Sequence, residues 1–133
     1  DFTNNYYHNI LLVINMGVTR AHIKIYDCDG KGFIELDITV DSDPYIVDKE
    51  QKLEALGIKP TRKRRFKLIN GDIIEREIGE AVIECLGEKA TTIVVFAEEP
   101  DAEVMGLHAL EGLGLEVDPV RSKIKKSEAL LAL

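Results

Sequence analysis

Cysteine is nearly absent from this 133-residue chain, which has only Cys28 and Cys85. The two share no paired spacing and have no histidine in ligand position. That excludes a zinc site and a disulfide framework and leaves buried free thiols as the expectation. Long apolar runs are missing too. A membrane-spanning helix needs about 20 consecutive apolar residues; the longest run here, Ile10 to Ile14, is far shorter and lacks the basic flank and cleavage site of a secretory signal. Positive charge is in deficit, with 17 Lys and Arg against 24 Asp and Glu, a net charge of -7 and a pI near 5.0. Nucleic acid or an anionic membrane would be approached against repulsion, so neither is expected as a partner. Three histidines, His8, His22 and His108, stand far apart without a nucleophile signature beside them, which argues against a hydrolytic triad. Internal repeats and low-complexity linkers are also absent. What remains is one acidic, soluble domain with free thiols, expected in a reducing cytoplasm.

Short alternating segments dominate what is there. Ala21, Ile23 and Ile25 alternate with Arg20, His22 and Lys24 between Val18 and Tyr26, and a second alternation runs from Phe33 to Val40. Asp29-Gly30 between them supplies turn chemistry, so the two runs read as a hairpin. Helical spacing over Asp48 to Leu56 turns Leu53 and Leu56 inward, and Gly57 stops it as a C′ glycine. Arg64 to Ile69 and Asp72 to Ile78 flank Asn70-Gly71, the strongest short hairpin signal. Gly79 to Cys85 and Thr91 to Phe96 read as a further pair about Gly87, followed by a break at Glu98 to Asp101. Val104-Met105-Gly106 ends a strand and opens a short helix, His108 to Gly112; Leu115 to Val117 and Ser122 to Lys126 are two last strands about Asp118-Pro119. Seven or more short strands with two brief helices predict an all-β, closed barrel. Met16-Gly17 reads as a natural start. Residues 1–15 are then an extension or an added strand, residues 16–126 the domain, and residues 127–133 an apolar, weakly helical tail that packs on something.

The charged candidates have plain alternatives. Asp27 to Gly32 is superficially a calcium loop, but Lys31 stands in a ligand position and Ile38 where the bidentate Glu belongs, so a hairpin turn is expected. Arg62 to Arg65 with Lys67 is a solvated strand edge that charge protects from aggregation, rather than a nucleic-acid patch. Asp41, Asp43, Asp48 and Glu50 are an acidic cluster without rigid ligand spacing; no metal is expected there. The sharpest feature is the end of the second alternation. Ile34, Leu36, Ile38 and Val40 hold one phase and Glu35, Asp37, Thr39 and Asp41 the other, so Asp41 leaves the strand on its polar side with the hydroxyl of Ser42 following at once.

In this order, the elements resemble the retropepsin-like aspartic proteases, in particular the small single-domain bacterial and archaeal forms. The matching pieces are Val40-Asp41-Ser42, the helix ending Leu56-Gly57-Ile58, the Asn70-Gly71 hairpin, Val104-Met105-Gly106 with its Leu-rich helix, and Val117-Asp118-Pro119. The resemblance covers most of residues 18–126. It implies a closed barrel with a flap hairpin and one or two short helices, and no cofactor. It further implies an aspartic endopeptidase that must dimerise, because each chain carries one Asp; the two-lobed form of the family is longer than 133 residues. Asp41 is then the catalytic carboxyl, sharing a proton with its copy, and Ser42 the hydroxyl that ties the two motif loops together. Asn70 and Gly71 lie in the flap, and Val104, Met105 and Gly106 in the cleft that takes a polypeptide. The third motif position departs from the pattern: Asp43 stands where the family has Gly, followed by Pro44, adding bulk and a like charge where the backbone runs closest. A catalytically inactive domain of the same fold, which dimerises or binds extended peptides, is the alternative.

Overall fold

Alternation of apolar and charged side chains produces the first two strands, β1 (Arg20–Tyr26) and β2 (Phe33–Asp41), paired antiparallel from Arg20↔Thr39 to Tyr26↔Phe33. The computed structural model describes residues 19–128 and residue 131. The proposed extension at 1–15, the start at Met16-Gly17, His8 and most of the tail lie outside the described residues. Ala21, Ile23, Ile25, Ile38 and Val40 turn into the core while Arg20, His22 and Asp41 stay exposed. Burial of each Ile or Val side chain stabilises the fold by about 1.5–3 kcal/mol. The Asp27–Gly32 segment is a hairpin turn, as expected: the Asp27 carboxylate accepts the backbone N–H groups of Lys31 and Gly32, both at 2.9 Å.

The remaining elements are β3 (Ile46–Lys49), α1 (Glu50–Ala55), β4 (Arg62–Lys67), β5 (Ile73–Cys85), β6 (Glu88–Ala97), β7 (Val104–Gly106), α2 (Leu107–Gly112), β8 (Leu115–Asp118) and β9 (Lys123–Lys126). Six strands run β1-β2-β7-β3-β6-β5 and close through Lys24↔Glu84 and Ile25↔Ile83 of β1 and β5. The ring is mixed, with β2–β7 and β3–β6 parallel and the other pairs antiparallel. This is the expected all-β closed barrel with two short helices. A closed ring leaves no free edge in the barrel itself. β4 adds to β5 outside the ring, and β8 and β9 form a separate two-stranded sheet.

Three expectations need correction. Ile46–Lys49 is a strand where the sequence suggested loop and then helix from Asp48. Four residues carry too little alternation to be read, and an Asp at an inward position breaks what there is. Second, Gly79 does not separate two strands. β5 runs unbroken through it for 13 residues, pairing with β4 over its first half and with β6 over its second. The glycine is there because a Cβ would lie 2.7 Å from the Lys59 carbonyl oxygen, where the segment before β4 crosses the strand. Third, Cys85 is buried but Cys28 is exposed, since it sits in the turn after β1 rather than in the core. No helix among the described residues is long and apolar enough to cross a membrane.

Candidate functional site

Two segments about sixty residues apart meet in the barrel wall. β2 and β7 pair in parallel with the register Thr39↔Val104, Val40↔Met105 and Asp41↔Gly106, so the end of the alternating strand lies directly beside the Val-Met-Gly turn. Asp41 is the last residue of β2 and exposed. Its Oδ1 accepts the Ser42 backbone N–H at 2.7 Å and lies 3.4 Å from the Ser42 hydroxyl, so the carboxylate is fixed by its own loop.

Above Asp41 is a cleft of about 300 Å³. Val47 of β3, Val95 of β6 and Val104 of β7 form apolar walls; Phe66, Leu68 and Ile74 of the β4–β5 hairpin cover it, and Asp41 and Asp43 lie at its floor. The hairpin closes as Asn70-Gly71 predicts. Gly71 has φ +92°, its N–H donates to Leu68 O at 2.9 Å, and the Asn70 side-chain oxygen accepts the Asp72 N–H at 2.9 Å. Asn70 and Gly71 themselves form the tip and do not line the cleft. Ile69 beside them is fully exposed. Of the expected cleft residues, Val104 lines it; Met105 is fully buried in the core and Gly106 packs against the motif loop.

Four residues of the cleft gave no sequence signal, because each acts through a partner distant in the chain. Arg76 of β5 makes a two-pronged ion pair with Asp101, Nε to Oδ2 at 2.7 Å and Nη2 to Oδ1 at 2.9 Å. The guanidinium holds the Asp101 carboxyl below its usual range, and Asp101 also accepts the Glu98 N–H, at 2.8 Å. The pair ties the base of the hairpin to the turn before β7. On the other side Tyr45 meets Phe66 edge-on, ring centroids 6.2 Å apart. Arg64 lies over both rings and donates to the Tyr45 hydroxyl, so β4 is held down onto the motif loop.

The departure at the third motif position has a visible consequence. Loss of hydration, and then the charge of Asp41, push the Asp43 carboxyl above its ordinary value. Its backbone lies hard against β7: a Cβ on Gly106 would stand 2.0 Å from the Asp43 carbonyl oxygen and 2.7 Å from the Pro44 carbonyl carbon. Gly106 is therefore required by contact. Its φ of -73° is ordinary. Gly106→Ala is expected to destabilise the protein by about 3 kcal/mol in denaturant unfolding, because backbone cannot yield as a side-chain tip can. Gly112→Ala serves as the control and should change stability little, since nothing lies within 4 Å of its Cβ position.

Among the described residues no group of three or more His, Cys, Asp or Glu side chains converges as a metal site. The chemistry on offer is thus a carboxylate, fixed by a serine loop, at the floor of an apolar cleft under a hairpin. No family model matches the chain, and no curated protein matches it. Among solved structures it is similar to the solution structure of Simian Foamy Virus (mac) protease, with 20% identity over 70% of this chain and 92% of that one and a TM-score of 0.48.

Proposed function

We propose that this protein is an aspartic endopeptidase of the retropepsin-like kind, active as a homodimer in which Asp41 of each copy forms one half of the dyad. The observation that carries this reading is the position of Asp41, at the end of β2 beside Gly106, on the floor of a cleft covered by the β4–β5 hairpin. Two carboxyls brought together cannot both ionise easily, so one holds a proton while the other activates water against the scissile amide. Val47, Val95 and Val104 offer apolar contact to an extended peptide, and the hairpin excludes water from the reacting bond. Ser42 supports Asp41 from within the loop.

Two linked measurements test it. Sedimentation at micromolar concentration should give a dimer, and cleavage of a diverse peptide library should be strongest in mild acid, where the dyad carries one proton. A monomer at that concentration overturns the reading, because one chain supplies one motif. One observation favours the second reading, a non-catalytic domain that binds extended peptides in the same cleft: Asp43 adds a carboxylate beside Asp41 where the motif calls for glycine. Folded dimers that cleave no library peptide at any pH decide for it.

A further inference from the structure

β4 is the outermost strand of the sheet, pairing with β5 on one side and with no other strand among the described residues. Its sequence is Arg62-Lys63-Arg64-Arg65-Phe66-Lys67, with all five cations exposed. One charged side chain is enough to discourage edge-to-edge pairing. Five in six residues, on a chain whose net charge is -7, exceed that need. Their compensation inside the protein is partial. Lys63 approaches Glu75 at 3.9 Å and stands opposite Glu77, Arg65 stands opposite Glu75, Lys67 faces only Ile73, and Arg64 is engaged by Tyr45 and Phe66 and stands opposite another arginine, Arg76. The side chains of Arg62, Arg65 and Lys67 have no ion pair or hydrogen bond among the described residues. Neighbouring like charges repel, and an anionic partner removes that cost.

Geometry narrows the partner. Lys63, Arg65 and Lys67 share one face of the strand by the two-residue period, and the N–H and C=O groups of the outer backbone edge beside them pair with no strand among the described residues. Only another extended backbone meets both features, and it does so best with acidic side chains at alternate positions. A nucleic acid would meet the cations but not the edge. It would also find one aromatic in the strand, Phe66, already packed on Tyr45. We infer that β4 is a docking edge for an acidic, extended polypeptide segment, which adds to the sheet as an outer strand with alternate Asp or Glu side chains on Lys63, Arg65 and Lys67. The Phe66–Leu68 end of this edge opens onto the cleft, so a docked segment is delivered to its mouth. Docking stands independently of any chemistry at Asp41.

The test is fluorescence anisotropy of a labelled peptide alternating Glu and Thr, measured with the full chain carrying Asp41→Asn so that no cleavage consumes the probe. Saturable binding that weakens with salt is expected. Lys63→Glu/Arg65→Glu/Lys67→Glu, whose positions are exposed, should lower affinity at least tenfold with an unchanged circular dichroism spectrum. Methylating alternate backbone nitrogens of the peptide should lower it similarly, because strand addition needs those donors. If the triple reversal fails to fold, Arg65→Ala/Lys67→Ala decides, with a loss of several-fold expected. The inference is overturned if the peptide does not bind, if neither charge variant nor methylation changes affinity, or if a single-stranded oligothymidylate binds as tightly, which would make the edge a general polyanion patch.

Discussion

Asp41→Asn is expected to lower peptide cleavage at least about a thousandfold while leaving the fold intact. The side chain is exposed at the end of β2, the substitution is isosteric, and an amide oxygen can still accept the Ser42 N–H that Asp41 holds at 2.7 Å. Stability should therefore stay within about 0.5 kcal/mol, as for other surface changes. The rate falls because an amide neither holds the shared proton nor takes one from water, and a positioned general acid or base contributes about 10²–10⁴-fold. A companion variant, Asp43→Gly, is expected to raise cleavage at least about tenfold. It removes the like charge that faces Asp41 and returns the backbone freedom of the glycine that the motif calls for. Both are measured as kcat/KM on one peptide from pH 4 to 7. Cleavage that survives Asp41→Asn assigns the chemistry to another residue; an unchanged rate in Asp43→Gly means that the third carboxyl does not restrain the dyad.

The second large effect lies on the opposite face of β3. Asp48 is fully buried; its Oδ1 accepts the Lys49 N–H at 2.8 Å, while Oδ2 has no donor. Its neighbour is another carboxylate, Glu103, which Lys52 approaches at 3.1 Å and Lys49 at 3.9 Å. Two acceptors facing one another form a hydrogen bond only when one carries a proton. Burial first, and then Glu103, push the Asp48 carboxyl up to about 7, while Glu103, which receives that hydrogen bond and has the two lysines beside it, is held low.

A group that binds its proton more tightly when folded stabilises the fold fully below its unfolded pKa, near 4, and loses that contribution as pH rises through 7. Glu103 acts in the opposite sense, losing its smaller contribution as pH falls through its depressed value. Between pH 5 and 8 the Asp48 effect dominates, and stability should fall by an amount on the order of 3 kcal/mol or less, because part of the full effect is already lost below pH 5. Asp48→Asn reproduces the protonated form, since its oxygen accepts from Lys49 and its amide donates to Glu103. The variant should be more stable than the parent at pH 8 and lose most of the dependence. Urea unfolding at pH 5, 6.5 and 8 reads this directly; a parent whose stability is flat over that range shows that Asp48 stays ionised.

Elements whose information is local were legible in the sequence. The β1–β2 alternation, the Asn70-Gly71 turn, the Gly57 stop and the α2–β8–β9 ending are set by periods of two or 3.6 and by residues that tolerate positive φ. Each could be read from residues close together in the chain. That Asp41 and Val104-Met105-Gly106 share one cleft was suggested by family likeness, and the exposed position of Asp41 followed from its phase in β2; their parallel pairing was visible only in the barrel. Features that depend on neighbours distant in the chain were set by the folded barrel. β3 is a strand because β6 and β7 flank it, although its four residues carry no period of their own. Gly79 and Gly106 are glycines because another backbone passes within 2.7 and 2.0 Å of where a Cβ would stand. The Arg76–Asp101 clamp, the Tyr45–Phe66 closure and the Asp48–Glu103 pair join residues that periodicity cannot connect. Their energies come from desolvation and contact, which exist only once the barrel has closed.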